Sequence, residues 1–473
     1  MNKSTASAVA DTPLPASASS SHVVGRTIGF ATMIAICIGV VVVQGSMVSA
    51  LQGIGFGGVG FLAAAVVAFL LAQCNALSFA ELSLMFPRAG GTLSSYTEAA
   101  LGPFPAIVAV YAGYVVVAMF GLSAELLLVD AVIGQLFPGM VPERVVPLGI
   151  LGVLAVLNIL GTDVFARLQN VFTFAMVSAL LLVGLSAVTG SVNPPPAELA
   201  GAIEWNWDGV LDGSFLGLVA LAMWLLVGVE FICPLIQEVR NPERNVPRAM
   251  MLSLCLIFAI FFLFCWGASR YLPLETLTTS PLPYLDYVEA VFGKAGLIVA
   301  TVMAVTATCS TVNTVLAAVP RMLHGMAVNG QSFPQLKRLH PRFNTPWVAI
   351  LFMASIIAVP FLLLGIDSII TLLIAASTSW LLAYMIAHLD VIVLRRRQPQ
   401  LARPFRTPFY PLPQLVGILG MGYVALNNSP SPEMTQTVYS LTGVVLLIIG
   451  VIAALWVKLV MKRGLFQAEM PKG

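Results

Sequence analysis

Apolar runs of about twenty residues, the length a helix needs to cross a hydrocarbon layer, recur along the whole chain with short polar segments between them. They predict twelve spans, at 28–52, 59–84, 104–136, 145–161, 168–190, 213–237, 249–269, 293–323, 346–364, 368–393, 412–427 and 437–461. The predicted fold class is therefore an all-α polytopic membrane protein. Residues 1–21 break the pattern: they are rich in Ser and Ala, hold no apolar core segment, and read as a disordered cytoplasmic tail rather than a signal peptide.

The polar segments sort by charge. Arg88, Arg167, Arg240, Arg244, Arg248, Lys337, Arg338, Arg342, Arg395, Arg396, Arg397, Arg403 and Arg406 fall in alternate loops, and accumulation of Lys and Arg marks the cytoplasmic side. The opposite loops hold Arg144, Arg270 and Lys294 beside Glu198, Glu204, Asp208, Asp212, Glu275, Asp286 and Glu289. This predicts a multi-pass protein of the cytoplasmic (inner) membrane with both termini in the cytoplasm. Composition agrees, since 59% of the 473 residues are hydrophobic and 9% charged, against roughly 25% charged in a soluble domain. A net charge of +2 leaves no footprint for nucleic acid.

Chemistry-bearing motifs are sparse. Cys37, Cys74, Cys233, Cys255, Cys265 and Cys309 lie in apolar stretches and read as buried free thiols, without metal-ligand spacing or a disulfide framework. His22, His324, His340 and His388 are scattered and are expected at helix ends or surfaces, with no metal cluster. No phosphate-binding Gly-Lys-Ser/Thr loop and no paired catalytic constellation is found, so neither an ATP-driven pump, a cofactor enzyme nor an intramembrane hydrolase is predicted.

The sixth apolar run carries the most informative exception. Trp224, Gly228 and Glu230 lie inside Leu216–Ile236, which opens onto Glu238-Val239-Arg240-Asn241-Pro242-Glu243-Arg244-Asn245-Val246-Pro247-Arg248. A carboxylate at the bilayer centre costs on the order of 2.5–3.5 kcal/mol even on lenient insertion scales, and usually marks a pathway. Gly228 tolerates unusual dihedrals and Pro234 removes a helix donor, so the span is expected to be interrupted there; a simple kink is the alternative.

Over residues 26 to about 460 the chain resembles the amino acid-polyamine-organocation superfamily. The match is carried by Leu77-Ser78-Phe79-Ala80-Glu81-Leu82 with Phe86-Pro87-Arg88-Ala89-Gly90-Gly91, by Val227-Gly228-Val229-Glu230 with the segment that follows, by His340-Pro341-Arg342-Phe343-Asn344-Thr345-Pro346 and by Arg403-Pro404-Phe405-Arg406-Thr407-Pro408. The resemblance implies a five-plus-five inverted repeat followed by two extra helices: repeats at 22–190 and 191–395, then 396–473 with the last two spans and a cytoplasmic C-terminal tail. Spans one and six are then the interrupted helices, and substrate binds between their broken ends. The implied function is a secondary active permease that moves amino acids or related amines by alternating access, with a proton as the coupling ion and sodium as the alternative. A polyamine or cationic amine importer or exchanger, and a non-transporting nutrient receptor on the same fold, are the competing readings. A monomer or homodimer is expected.

The same resemblance implies site residues. The family has Gly-Ser-Gly at the first break; here Val43-Gln44-Gly45 and then Ser46 stand there, so backbone N–H groups after Gly45 are expected to receive a substrate carboxylate. The departure weakens the case for an α-amino acid. Around the second break, Val227, Gly228 and Trp224 are implied in binding, with Trp224 either capping the substrate or packing within the bundle. Glu230 matches a carboxylate implicated in proton coupling in the arginine/agmatine antiporter. That antiporter has a second aromatic where this chain has Val315, which argues against a guanidinium site. On span three, Ala118 and Leu122 fall on the substrate-facing stripe and Glu125 follows one helical turn later. With no Lys or Arg inside spans one, three, six or ten, an acidic cavity is expected, suited to an amine, a proton or both; a protonated Glu125 bonded to a neighbouring helix is the alternative. Asp130 is expected nearer the outer vestibule. Thr308, Ser310 and Thr311, with Asn313, offer oxygens for a small cation, or for helix packing. The lysine that proton-coupled relatives carry in span five is absent, Leu168-Gln169 being followed by Met176 at that spacing.

Overall fold

The computed structural model of the chain describes residues 27–199, 213–428 and 432–471. The predicted tail at 1–21 and the acidic positions Glu204, Asp208 and Asp212 lie outside the described residues. Within them the chain is helical: α1 (Phe30–Val41), α2 (Gln44–Gly57), α3 (Val59–Met85), α4 (Leu93–Ala100), α5 (Pro103–Val110), α6 (Ser123–Leu136), α7 (Val145–Ile159), α8 (Thr162–Thr189), α9 (Gly213–Met223), α10 (Pro242–Ser269), α11 (Leu274–Thr279), α12 (Pro283–Phe292), α13 (Gly296–Val328), α14 (Trp347–Leu363), α15 (Ile369–Arg397), α16 (Leu412–Leu426) and α17 (Pro432–Leu455). Among the described residues seven helices are long and apolar enough to cross a membrane, or eight if the bent pair α1 and α2 forms one span. Helices α7, α14 and α16 are apolar and hold 15, 17 and 15 residues, at or just below the lower end, about 17, of the range for a crossing.

Unlike a soluble domain, the molecule combines an apolar core with an apolar exterior. Phe174, Leu363, Leu419 and Leu459 are exposed on the outside, while Gln44, Gln169, Thr308 and Asn313 are buried inside. Backbone polar groups along the body of a helix are satisfied within it, so such an apolar exterior suits lipid. The same outward face corrects two cysteine expectations, since Cys255 is exposed and Cys74 only half-buried. His388 also departs from expectation: it is fully buried within α15, its Nδ1 2.9 Å from Ser78 Oγ on α3.

Both expected interruptions are present, with different local causes. Between α1 and α2 the chain bends by 62°. Val42 (φ −82°, ψ 96°) and Val43 (φ −125°, ψ 169°) are extended, a conformation β-branched residues adopt readily, so this bend needs no glycine. The break thus lies just before the Gln44-Gly45 pair, which belongs to the first turn of α2. After α9 the helix stops, and Gly228 at φ 120° turns the chain into a tighter 3₁₀ segment, Val229–Glu238, containing Pro234. A side chain at Gly228 would be strained whatever the space around it.

A third irregularity lies in the continuous rod from α5 to α6. Tyr111–Val116 and Ala118–Leu122 are π-helical, wider turns that rotate the faces of Ala118, Leu122 and Glu125 relative to an unbroken α-helix. At the following motif the helix begins earlier than the apolar run suggested. Asn241 (φ 49°) precedes Pro242, and proline at the first helical position starts α10 inside the basic segment.

Two contacts tie the basic side of the molecule together. Ile28 pairs in parallel with Val239: Ile28 N–H donates to Glu238 O and Arg240 N–H to Ile28 O, both at 3.0 Å. On the other flank the buried Glu81 of α3 accepts from Arg395 Nε (2.8 Å) and Nη2 (2.6 Å) and from Thr407 N–H (2.8 Å).

Candidate functional site

The bend between α1 and α2 leaves the first N–H groups of α2 without helical partners. They are filled from within. Glu125, 2% exposed, accepts from Gln44 N–H through Oε2 at 3.0 Å and from Gly45 N–H through Oε1 at 2.7 Å. Thr308 Oγ1 lies 3.4 Å from Oε2 as a weaker third donor. Gly45 is what permits this approach. A Cβ at that position would sit 2.9 Å from Glu125 Oε1 and 3.1 Å from Trp224 Nε1. The donors expected for a substrate carboxylate lie after Gly45; those engaged are the N–H groups of Gln44 and Gly45 themselves, and the acceptor is the chain's own carboxylate. Of the two alternatives for Glu125, bonding to a neighbouring helix is observed, yet the side chain also faces the central cavity.

That cavity is lined by Ala118, Leu122, Glu125, Trp224, Thr311 and Val315 from the predicted set. Sequence reasoning missed its other walls, Val40, Val43, Val117, Gly121, Phe231 and Trp380. Val40 precedes the first break and Val43 lies within it, while Trp224 and Phe231 stand before and after Gly228 at the second. The walls are apolar apart from Glu125, the Thr311 hydroxyl and the indoles. Trp224 meets Trp380 edge-on, centroids 6.2 Å apart, and its buried indole N–H has no hydrogen-bond partner among the described residues.

The remaining predicted residues stand behind these walls. Gln44 is wholly buried: its Nε2 donates to Thr308 Oγ1 at 2.7 Å, and its Oε1 accepts from Tyr284 Oη at 2.5 Å. Ser46 folds back to cap its own helix, accepting from Val43 N–H at 2.9 Å and donating to Val43 O at 2.7 Å, so its side chain does not line the cavity. Val227 is buried beside the second break, and Gly228 contributes its backbone to it.

Glu230 has a cage of its own. Tyr384 Oη donates to Oε2 at 2.9 Å, Trp380 Nε1 to Oε1 at 3.1 Å, and Tyr114 Oη reaches Oε1 at 3.5 Å. Gly228 N–H, freed by the break, donates to Tyr384 Oη at 3.0 Å, which couples the backbone turn to the carboxylate. Among the described residues neither Glu230 nor Glu125 has an ion-pair partner. The only hint in sequence was Trp380 and Tyr384, two polar-tipped aromatics one helical turn apart in an apolar run.

The three hydroxyls offered for a cation do not converge. Thr308 serves Gln44 and Glu125, and Thr311 Oγ1 donates to Val40 O at 3.4 Å. Ser310 Oγ accepts from Gln169 Nε2 at 2.7 Å, and the same amide reaches Ala35 O at 3.3 Å and Thr173 Oγ1 at 3.4 Å. An amide N–H₂ thus stands among the oxygens expected around an ion. Asn313 links this network onward, donating to Gln169 Oε1 at 2.9 Å and accepting from Asn158 Nδ2 at 2.9 Å. Asp130, midway along α6, accepts from Arg144 N–H at 2.8 Å and does not line the cavity.

Known proteins share this architecture. The amino acid permease family model matches residues 28–454. The human cystine/glutamate transporter is 25% identical over 425 residues, covering 87% of this chain and 82% of its own. The human b(0,+)-type amino acid transporter 1 is 28% identical over 358 residues (72% and 69%), and the serine/threonine exchanger of Bacillus subtilis 24% identical over 375 (75% and 80%). In fold, the crystal structure of the Eremococcus coleocola manganese transporter superposes with a TM-score of 0.61 at 14% identity, covering 92% of this chain and 94% of that one. A helical, lipid-suited exterior, two broken helices around one cavity and a family match over most of the length lead to one conclusion: the chain belongs to the amino acid permease family and is a multi-pass membrane transporter, not an enzyme.

Proposed function

We propose that this chain is a secondary active permease that carries amino acids or related amines across the cytoplasmic membrane by alternating access, with protons as the coupling ion. One observation carries the reading. A single cavity is walled by residues at both helix breaks, Val40 and Val43 at the first, Trp224 and Phe231 at the second. Half-helix ends that meet at a cavity are where carriers of this type hold substrate, and rocking about them exposes it to either side. The amino acid transporters among the relatives support the substrate class.

The membrane arrangement belongs to the same proposal: twelve crossings, inverted repeats at 22–190 and 191–395, two further helices in 396–473, and both termini cytoplasmic. The alternation of basic loops supports it, as do the breaks in the first helix of each half. Glu230 is the proposed proton carrier, because it is 1% exposed, has no cationic partner among the described residues, and is bonded through Tyr384 to the backbone of the second break. Protonation there would change the hydrogen bonds that hold the break. Gln169, whose amide stands among the oxygens expected around sodium, favours the proton over sodium.

Purified protein in proteoliposomes tests this with a panel of amino acids and amines under an imposed pH gradient. Wild type is expected to accumulate substrate, and Glu230→Gln to retain exchange while losing pH-driven accumulation, since Gln keeps the shape and cannot titrate. Full pH-driven uptake by the mutant rules out the role of Glu230.

A further inference from the structure

The geometry points to Glu125 as a built-in replacement for the carboxylate of an α-amino acid, and to a primary monoamine without an α-carboxylate as the substrate. This rests on the permease reading above and narrows its substrate class. Both oxygens of Glu125 are engaged by the first two N–H groups of α2, at 3.0 and 2.7 Å, in the two-donor arrangement a ligand carboxylate would adopt at a helix N-terminus. Gly45 clears the space for it, a Cβ there falling 2.9 Å from Oε1. A zwitterionic amino acid entering the cavity would find these donors taken, and would place a second carboxylate beside a buried one. An ammonium entering the same cavity would find its counter-charge already in position.

The remaining walls decide between one amine and two. Val40, Val43, Leu122 and Val315 are aliphatic, and Trp224 offers an indole near Glu125, suited to an ammonium by cation–π attraction. Glu230, the acid at the second break, does not line the cavity and is engaged by Tyr384 and Trp380. A diamine would leave its second ammonium against hydrocarbon. A primary amine with an apolar body satisfies both the acid and the walls.

The test compares pairs that differ only in the carboxylate, isoamylamine with leucine and phenethylamine with phenylalanine, with putrescine as the diamine. Binding is read by thermal shift and by counterflow in proteoliposomes. Wild type is expected to prefer each monoamine over its amino acid by a hundredfold or more, and over putrescine. Glu125→Gln should lose that preference, and Glu125→Ala, which vacates the donors, should gain affinity for leucine. If Glu125→Ala does not fold, the wild-type preference and Glu125→Gln still decide. Preference of the wild type for leucine and phenylalanine, with transport intact, overturns this inference and leaves the permease reading standing; preference for putrescine overturns the choice of a monoamine. Counterflow of no amine and no amino acid overturns the permease reading and this inference with it.

Discussion

Gly45→Ala is the smallest perturbation that separates the helix from the carboxylate it holds. The added methyl would meet Glu125 Oε1 at 2.9 Å, Trp224 Nε1 at 3.1 Å and Leu373 Cδ1 at 3.3 Å. Of these the carboxylate is the end of a flexible side chain, so it moves, and the 2.7 Å hydrogen bond from Gly45 N–H breaks. A hydrogen bond to a charged group contributes about 1.5–3 kcal/mol. Against this, Ala is favoured over Gly within a helix by up to about 1 kcal/mol. With the full offset the net effect on stability is a loss of about 0.5–2 kcal/mol, while the misplacement of Glu125 is felt by the substrate. At about 1.4 kcal/mol per tenfold, amine affinity should drop roughly 10- to 100-fold. The assay is a double-mutant cycle with Glu125→Ala, reading substrate affinity and thermal midpoint in detergent. With the carboxylate gone, the methyl has nothing to displace, and Gly45→Ala should add little. Wild-type affinity in Gly45→Ala, or an equal loss in the Glu125→Ala background, would refute the reasoning.

Three further outcomes follow from other contacts. Tyr384→Phe removes the 2.9 Å donor to Glu230 and strands Gly228 N–H; a cost of about 1–3 kcal/mol is expected to appear as weakened pH-driven accumulation with counterflow retained, and undiminished accumulation would count against the cage as part of coupling. Uptake should be unchanged when choline replaces sodium, because Gln169 Nε2 already engages Ser310 Oγ and Ala35 O; a sodium requirement would contradict this. Arg395→Met leaves the fully buried Glu81 with Thr407 N–H and Arg403, the latter at 3.6 Å, and should lower stability by about 3 kcal/mol; an unchanged thermal midpoint would show that the pair carries no weight.

The sequence made some of this legible and hid the rest for physical reasons. The break at Gly228 could be read because glycine and Pro234 change local backbone energetics, which are encoded within a few residues. The first break escaped exact placement because Val42 and Val43 look like any apolar helix; only their surroundings make them extended. Glu125 was visible as a costly charge, but its partners are backbone groups some eighty residues away in sequence, and no periodicity encodes such a contact. Phe231 was indistinguishable from a core aromatic, because only the second break turns it toward the cavity, and Trp380 on α15 shows its role only once it is packed against that break. Likewise Gln169 was passed over in favour of the missing lysine, because an amide among apolar residues carries no mark of what it faces.

The short pairing of Ile28 with Val239 bears on how such a molecule would open. It joins the segment entering α1 to the segment leaving the 3₁₀ turn, through two backbone hydrogen bonds that no substitution other than proline removes. In the proposed cycle, the inner halves of both broken helices are then one body on the basic side. Separating them would expose two bonded backbone pairs, each contributing about 0.5–1.5 kcal/mol, so moving together is the lower path. A gate hinged in that way has one coordinate instead of two, and whatever tilts the chain at Val42 must also reach Gly228.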